Sequence, residues 1–203
     1  MTNVDPQIFR WLLVLVLVLN LTISGYHRNR ARSKETIPRS AESLSLRLLR
    51  VALALPALLL MLAFVIYPPW IDWSSLAIPV WSRWFGVLLG LAVAPLNVWV
   101  LRSLGKNVSE TVLTKESHAL VQAGPYRWVR HPLYTSGFLM SGGVSLLAAN
   151  WLMVALTLCA IVLFSVVVIP REEAELVAKF GDRYEEYRRQ SGRLLPRLLP
   201  ARG

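Results

Sequence analysis

Residues 124–134 read GPYRWVRHPLY and stand at the start of a long apolar segment. The stretch combines two prolines and two tyrosines with the basic or imidazole side chains of Arg127, Arg130 and His131. Proline lacks a backbone N–H and restricts the residue before it, so a loop is expected here and not a regular helix. Non-helical backbone at a membrane boundary persists only where protein, water or a ligand satisfies its polar groups. We therefore interpret residues 124–134 as the wall of a site.

The composition indicates an integral membrane protein. The 203 residues are 55% hydrophobic with a mean hydropathy of +0.47, which is too apolar for an ordinary soluble domain. A hydrocarbon core needs about 20 helical residues to be crossed. Five apolar segments reach or approach that length, and they are roughly 8–26, 50–67, 84–101, 133–149 and 151–170. We expect an all-α integral membrane protein with about five transmembrane helices.

The chain is expected to form a single membrane domain over residues 1–203. Residues 1–101 would supply the first three helices, and residues 102–203 a loop, a helical hairpin and a C-terminal helix. Little more than Asn150 separates the last two apolar segments, so their hairpin must be tight. The one cysteine, Cys159, lies in an apolar run, which excludes a disulfide framework.

The distribution of basic residues predicts the topology. The formal net charge is +10, and residues 27–50, 102–132 and 171–203 hold seven, five and eight of the 22 Lys and Arg residues. Five crossings place these three segments on one side. The positive-inside rule then puts the N-terminus outside and the C-terminus in the cytoplasm, most simply in the cytoplasmic membrane. The charge thus indicates topology and contact with anionic lipids, and not nucleic-acid binding.

Polar and small residues within the apolar segments are predicted to join helices. Asn20 and Asn97 are each expected to form an interhelical hydrogen bond. Small residues in the fourth segment would allow close helix approach. They are Ser136, Gly137, Ser141, Gly142 and Gly143.

Two segments are expected at the membrane surface. The loop 68–83 is rich in Trp, which is typical of an interfacial belt. After Pro170 the periodicity predicts one amphipathic helix, with Gly181 as a tolerated interruption. Its apolar face would carry Leu176, Phe180, Tyr184 and Tyr187.

Charged groups from two distant parts of the sequence are predicted to meet. The tight hairpin places residues 124–132 and Arg171-Glu172-Glu173 at the same membrane face. Charged side chains at such a depth are costly unless they are paired or functional. Arg130 and Glu172 could form a structural ion pair, or the cluster could bind a ligand that is zwitterionic at one end, planar and hydroxylated at the other. No metal site, catalytic Ser-His-Asp set or phosphate-binding glycine loop is predicted.

These residues resemble a known family. The pattern consists of His118, Leu120, Val121, Gly124, Pro125, Tyr126, Arg127, Val129, Arg130, His131, Pro132 and Tyr134, then Glu172 and Glu173, then Phe180, Gly181, Tyr184 and Tyr187. It resembles the isoprenylcysteine carboxyl methyltransferase family, which is related to the phospholipid N-methyltransferases, over about residues 100–200. The resemblance implies a membrane-embedded enzyme that uses S-adenosylmethionine without a Rossmann domain, through a cytoplasmic cofactor-binding loop.

The resemblance also implies particular site residues. Those implied to bind the cofactor are His118, Leu120, Val121, Gly124, Tyr126, His131, Pro132, Tyr134, Glu172 and Glu173. The candidate catalytic residues are Arg130, Arg171 and Glu172. Carboxylates and aromatic faces suit the cationic cofactor, and a guanidinium can bind a carboxylate through two hydrogen bonds. The loop 105–123 would be a candidate lid over the cofactor.

The acceptor is the part that the resemblance defines least. Many relatives carry an Arg one helical turn before the Glu pair, where it engages the carboxylate of the acceptor; this chain has Val168 there, and Arg171 is the candidate substitute. Carboxyl O-methylation of an isoprenylcysteine-like acceptor that arrives from the bilayer is the leading interpretation. The alternatives are N-methylation of a phospholipid headgroup, S-methylation of a thiol, a sterol-reductase-like nicotinamide enzyme and a non-catalytic membrane scaffold.

Overall fold

The structure is a computed structural model that describes residues 5–31, 43–105 and 119–197. Its helices are α1 (Pro6–Ala31), α2 (Leu44–Ile66), a 3-10 helix (Pro68–Ser74), α3 (Val80–Leu104), a 3-10 turn (Gly124–Arg127), α4 (Pro132–Ala148), α5 (Trp151–Leu163), a π-helical turn (Phe164–Val168), α6 (Ile169–Phe180) and α7 (Asp182–Gln190). Within the described ranges there is no β-strand, and isolated bridges join Ser75 to Asn150 and Val129 to Gly192. The all-α fold predicted from the sequence is confirmed.

Four of the described helices are long and apolar enough to cross a membrane. Their spans are Gln7–His27, Leu44–Ile66, Val80–Leu104 and Trp151–Phe180. Helix α4 has 17 residues, slightly fewer than the roughly 20 that a full crossing needs, and it packs against α1, α3 and α5. The last span continues beyond the predicted end at residue 170, because α5, the π-helical turn and α6 follow one another without a break.

The main apolar core lies at the end of the bundle where α1 and α3 begin and α2 and α4 end. Its buried side chains are Phe9, Leu13, Phe64, Ile71, Val87, Val144, Leu147, Ala148 and Met153. Lipid tails are as apolar as Leu, so such contacts stabilise a membrane protein mainly through close packing. This end of the bundle is therefore closely packed, and residues 124–131 lie at the other end of α4.

Helices α3 and α4 approach each other closely at two glycines. A Cβ at Gly86 would lie 2.6 Å from the carbonyl oxygen of Gly143, and a Cβ at Gly143 would lie 3.0 Å from that of Gly86. The predicted packing role of the small residues is thus confirmed at Gly143. It is wrong at Gly137 and Gly142, where a Cβ would meet none of the described atoms within 4 Å.

Two asparagines join α1 to α3, as predicted. The Asn97 side-chain amide donates to Asn20 Oδ1 at 3.2 Å, and Asn20 donates in turn to the Gly90 carbonyl at 3.2 Å. Both side chains are buried, so each hydrogen bond satisfies a group that would otherwise be unpaired in an apolar environment. The pair fixes the register between the two helices.

The connection between α4 and α5 is anchored to the Trp-rich loop. Asn150 accepts a hydrogen bond from the Met153 N–H at the start of α5 and donates to Ser74 Oγ at 2.6 Å. Arg83 donates to the Leu147 carbonyl at the end of α4. The loop exposes Trp70 and Trp73 together with nearby Trp81, which is the arrangement expected of an interfacial belt.

The predicted single amphipathic helix after Pro170 is wrong. The sequence forms two helices, α6 and α7, which are separated at Gly181 with a φ of +55°. Glycine adopts this conformation readily, so it ends α6 where a tolerated interruption is expected from the sequence. Tyr184 and Tyr187 are buried as predicted, but they lie on the separate α7.

Candidate functional site

Residues 124–131 form the non-helical segment that the sequence predicts. Gly124 has a φ of +61°, and a Cβ there would collide with the side chain of Ser103 in α3. The chain makes a single 3-10 turn to Arg127, and α4 begins at Pro132. A proline suits this position, because the first N–H groups of a helix have no intrahelical partner. The segment is thereby packed on α3 at one end and continued into α4 at the other.

A C-terminal segment satisfies the backbone of this loop. We call residues 191–194 the C-terminal strap. The Gly192 N–H donates to the Trp128 carbonyl at 2.9 Å, the Arg130 N–H donates to the Gly192 carbonyl at 2.8 Å, and the His131 N–H donates to the Arg193 carbonyl at 3.1 Å. The polar groups of the loop are thus paired with another part of the same chain.

The loop and the glutamate pair meet, as predicted. Glu173 Oε1 accepts a hydrogen bond from Arg130 Nε at 2.9 Å and lies 3.3 Å from His131 Nε2. His131 Nδ1 lies 3.7 Å from Glu172 Oε2, so both ring nitrogens face carboxylate oxygens. A second guanidinium, that of Arg193 in the strap, places Nη2 3.4 Å from Glu173 Oε2. We call these five residues the ionic cluster.

The ion pair of Arg130 differs from the one predicted. Its partner is Glu173 and not Glu172, and its Nη1 donates to the backbone carbonyls of Arg188 and Ser191. Because the Arg130 side chain is 9% exposed, its guanidinium is largely enclosed by these acceptors. Arg130 therefore joins α6, α7 and the strap.

Glu172 has surroundings unlike those of its neighbour. Its Oε2 atom is buried and has no hydrogen-bond partner among the described residues, while its side chain as a whole is 26% exposed. Leaving a buried acceptor unpaired costs about 1–3 kcal/mol, and more for a charged group. Such an atom fits a site in which a ligand supplies the missing donor.

Buried tyrosines support the loop. The Tyr187 hydroxyl donates to the Tyr126 carbonyl at 2.6 Å. Burial raises the pKa of Tyr187 to about 12, and burial together with the charge of Glu172 raises the pKa of Tyr126 above its ordinary value. Burial and the charge of Glu173 raise the pKa of Tyr184 in the same direction. All three phenols therefore remain neutral near pH 7, and the hydroxyl of Tyr184 is buried without a partner among the described residues.

The other predicted site residues are placed as follows. Tyr134 stacks on His131, with ring centroids 5.7 Å apart. Pro132 is buried, whereas Leu120 and Val121, which precede the loop, are partly buried. Arg171 is exposed and forms none of the ion pairs of the ionic cluster. His118 and most of the predicted lid, residues 106–118, lie outside the described residues.

A cleft opens beside the ionic cluster. It has a volume of about 590 Å³ and is bounded by α6, α7 and the strap. Its polar lining comes from Arg130, Glu173, Glu185, Arg188 and Arg193. One end of this cleft therefore reaches the carboxylate that Arg130 and His131 share.

The sequence does not predict that the strap bonds to the loop. It also does not predict that Tyr184 is close enough to Glu173 for its pKa to be raised by that charge. Arg193 and Ser191 belong to no recognised motif, and the contacts of the strap to residues 128–131 run largely through the backbone. The spacing of Tyr184 and Tyr187 by itself indicates only an apolar helix face. Their place in the resemblance is the signal that could have found them.

Residues 86–178 match a known protein family. A family model described as the isoprenylcysteine carboxyl methyltransferase (ICMT) family matches residues 86–178. The resemblance to the ICMT family is confirmed. The matched range contains the loop, α4, α5 and the glutamate pair, and it ends before α7 and the strap.

Individual methyltransferases are similar to parts of this chain. The chain is 37% identical over 98 residues to protein-S-isoprenylcysteine O-methyltransferase of Schizosaccharomyces pombe, which is 47% of this chain and 41% of that protein. It is 34% identical over 119 residues to the Xenopus laevis protein of the same name, which is 57% of this chain and 41% of that one. It is 29% identical to methanethiol S-methyltransferase 2 of Bradyrhizobium diazoefficiens over 73% of this chain and 59% of that protein.

A solved structure supports the same fold. The eukaryotic intramembrane Ras methyltransferase ICMT superposes with a TM-score of 0.58 and 22% identity, over 91% of this chain and 73% of that one. The chain is a multi-pass membrane protein with the fold of this neighbour. The matches to the two isoprenylcysteine relatives span about two fifths of the length of those proteins.

Proposed function

We propose that the protein is an S-adenosylmethionine-dependent methyltransferase that esterifies the carboxylate of a lipophilic, isoprenylcysteine-like acceptor. The observation that carries this proposal is the position of His131 within 3.7 Å of Glu172 and 3.3 Å of Glu173, inside the range that matches the ICMT family. A scaffold would need only the ion pairs. Glu172 Oε2 accepts no hydrogen bond from the described residues, which favours a site that binds a ligand.

The residues present fit the cofactor. Glu172 Oε2 needs a hydrogen-bond donor, and S-adenosylmethionine carries an ammonium group and ribose hydroxyls. The stacked rings of His131 and Tyr134 offer an aromatic surface beside the two carboxylates, and such a surface attracts a cation. When bound, the cofactor supplies an electrophilic methyl group on a positively charged sulfur.

The protein's own contribution to the reaction would be positioning and the exclusion of water. Arg130 and His131 hold the Glu173 carboxylate in one orientation, and the strap holds the backbone of both residues. Glu172 Oε2, which has no hydrogen-bond partner among the described residues, would accept a hydrogen bond from the ligand. Methylation of a carboxylate requires no proton transfer, so the predicted site residues do not need to include a general base.

The acceptor would reach the site from the bilayer. An apolar tail is more stable in lipid than in water, and α5 leads from the membrane core directly to the glutamate pair. We further propose that the ionic cluster lies on the cytoplasmic side, with the N-terminus outside and the C-terminus inside, in the cytoplasmic membrane. The support for this orientation is the excess of Lys and Arg on that side.

Methylation of a thiol is a second candidate. The relative named methanethiol S-methyltransferase 2 aligns with 73% of this chain, more than the 57% matched by the Xenopus laevis protein. A thiol acceptor would use the same cofactor residues. It would not require a cation that binds a carboxylate.

Product analysis tests the proposal. The purified protein in lipid nanodiscs is incubated with methyl-labelled S-adenosylmethionine and, separately, N-acetyl-S-farnesylcysteine, phosphatidylethanolamine or a small alkyl thiol. We expect a product whose label is released by mild base as methanol, only with the farnesylcysteine. A base-stable N-methyl or S-methyl product would instead identify phosphatidylethanolamine or the thiol as the acceptor. The absence of any product, with no calorimetric binding of S-adenosylhomocysteine, would favour the scaffold.

A further inference from the structure

Arg193 occupies an unusual position in the strap. Its Nη2 lies 3.4 Å from Glu173 Oε2, and its Nη1 lies 3.3 Å from the Ser165 carbonyl oxygen. Ser165 and Glu173 are eight residues apart on one continuous helix, which is about two turns. The guanidinium therefore lies beside the turn between them, the one that contains Val168.

Arg193 is also the member of the ionic cluster best able to change partners. Its two hydrogen bonds are long, and its side chain is 44% exposed, whereas Arg130 is 9% exposed and bonded to Glu173 at 2.9 Å. Arg130 further donates to two backbone carbonyls. A ligand carboxylate could replace the weak contacts of Arg193 without disturbing the fixed pair of Arg130.

The surroundings of Arg193 combine polar and apolar surfaces. On one side stand the carboxylates of the cluster, and next to Ser165 stands Phe164, whose ring contacts Tyr134 edge to face at 5.2 Å. Val168, in the same turn, is fully buried against Leu46. A molecule with a carboxylate beside an apolar tail needs a cation at such a boundary.

We infer that Arg193 binds the carboxylate of the methyl acceptor. This inference rests on the proposed carboxyl methylation. A guanidinium can form two parallel hydrogen bonds with a carboxylate, which fixes the direction of its oxygens as well as its position. Arg193 would thus be the residue that selects a carboxylate over a thiol or an amine.

The chemistry of the transfer gives Arg193 a second effect. One carboxylate oxygen forms a bond to the methyl carbon, the carbon–sulfur bond breaks, and its electron pair stays on sulfur. The sulfonium charge and the carboxylate charge both disappear, and no proton moves. The ester no longer attracts Arg193 as an anion does, so Arg193 returns to Glu173 and the product is released.

The test separates binding of the carboxylate from structural support. Arg193→Met, Arg193→Lys and the wild type are compared in nanodiscs for three quantities: the KM for N-acetyl-S-farnesylcysteine, the inhibition constant of its uncharged carboxamide, and the affinity for S-adenosylhomocysteine. Arg183→Met is the matched control, because Arg183 is an exposed Arg on α7, outside the ionic cluster. All four proteins are purified at full length.

We expect Arg193→Met to raise the KM about 10- to 100-fold, as for the loss of a charge-assisted hydrogen bond. The carboxamide and S-adenosylhomocysteine should bind within about twofold of wild type, and Arg183→Met should match wild type throughout. Arg193→Lys keeps the charge and should recover part of the loss. If Arg193→Met proves unstable, the test relies on Arg193→Lys. In that variant, a several-fold higher KM for the acid with an unchanged inhibition constant of the carboxamide would support the inference.

Two results overturn the inference. One is an unchanged KM in both Arg193 variants, and the other is an equal loss of affinity for the acid, the carboxamide and S-adenosylhomocysteine. Either result leaves the proposed function standing, because the wild type still forms the ester. If the wild type itself forms no base-labile ester, the proposed function fails and the inference fails with it.

Discussion

Two adjacent carboxylates in this protein have different surroundings. Glu173 is 6% exposed and faces Arg130, His131 and Arg193, whereas Oε2 of Glu172 is buried, lies 3.7 Å from His131 Nδ1 and has no hydrogen-bond partner among the described residues. Consecutive residues on a helix point about 100° apart, so only one of them can face the strap. We interpret Glu173 as the residue that holds the cluster together and Glu172 as the one that contacts the ligand.

Glu172→Gln should weaken the binding of S-adenosylhomocysteine by about 1–3 kcal/mol, because a charge-assisted hydrogen bond is replaced by a neutral one. The thermal stability of the protein without ligand should change little. Isothermal titration calorimetry in detergent measures the affinity, with Glu175→Gln as a control on the exposed side of α6. If Glu172→Gln binds S-adenosylhomocysteine with wild-type affinity, Glu172 does not contact the cofactor.

Glu173→Gln should instead destabilise the fold. Removing one partner of a buried ion pair typically costs about 3–5 kcal/mol, because the charge of Arg130 is left uncompensated. Unfolding by titration with sodium dodecyl sulfate, followed by tryptophan fluorescence, measures the loss. If Glu172→Gln and Glu173→Gln lower the unfolding free energy equally, the two glutamates do not divide ligand binding and structural support between them.

The residues of the cluster could be predicted only in part from the sequence. The hairpin and the motif are enough to predict that residues near 130 and 172 meet. They are not enough to predict which glutamate Arg130 contacts, because the π-helical turn Phe164–Val168 rotates the following helix relative to a regular α-helix. The contact of Arg193 with Glu173 cannot be predicted from the sequence. The strap is held by backbone hydrogen bonds, which depend little on side-chain identity.

At the scale of secondary-structure elements, the contact between α3 and α4 sets the position of the site. The loop of residues 124–131 continues into α4, and α4 is held against α3 at Gly86 and Gly143. Any separation of these helices would move His131 relative to the rest of the bundle. The sequence contains several small residues in α4, but it does not indicate which of them face α3.

Gly86→Ala should destabilise the protein by about 1–3 kcal/mol, because a Cβ at this position would lie 2.6 Å from backbone atoms of α4 that cannot move independently. Gly142→Ala is the matched control. It should be neutral or stabilising by up to about 1 kcal/mol, since Ala favours helix and no described atom lies within 4 Å. Thermal unfolding in the same detergent compares them, and equal effects would contradict the close approach.

For the molecule as a whole, helix length separates two surfaces. The 17 residues of α4 extend about 25 Å, from the ionic cluster to Asn150 and the Trp-rich loop that Asn150 contacts. This is close to the thickness of a hydrocarbon core, so the two surfaces should face opposite aqueous phases. Composition and charge predict this separation, whereas the neighbours of each helix come only from the structure.

Labelling with a membrane-impermeant maleimide tests the proposed orientation. In a Cys159→Ser background, which removes the exposed native thiol, Asp72→Cys should react in intact cells. Arg183→Cys should react only after the cells are permeabilised, because α7 would lie in the cytoplasm. The reverse pattern would invert the topology and place the ionic cluster outside.

The strap also has a consequence for biosynthesis. Arg130 and His131 are translated about sixty residues before the backbone groups of Gly192 and Arg193 to which they are bonded. A nascent chain that has reached Gln190 contains the sequence of every described apolar helix, yet its loop still lacks these hydrogen bonds. The loop can therefore acquire these hydrogen bonds only after the last apolar helix has been synthesised, and a chain that ended at Gln190 would leave these backbone groups without their strap partners.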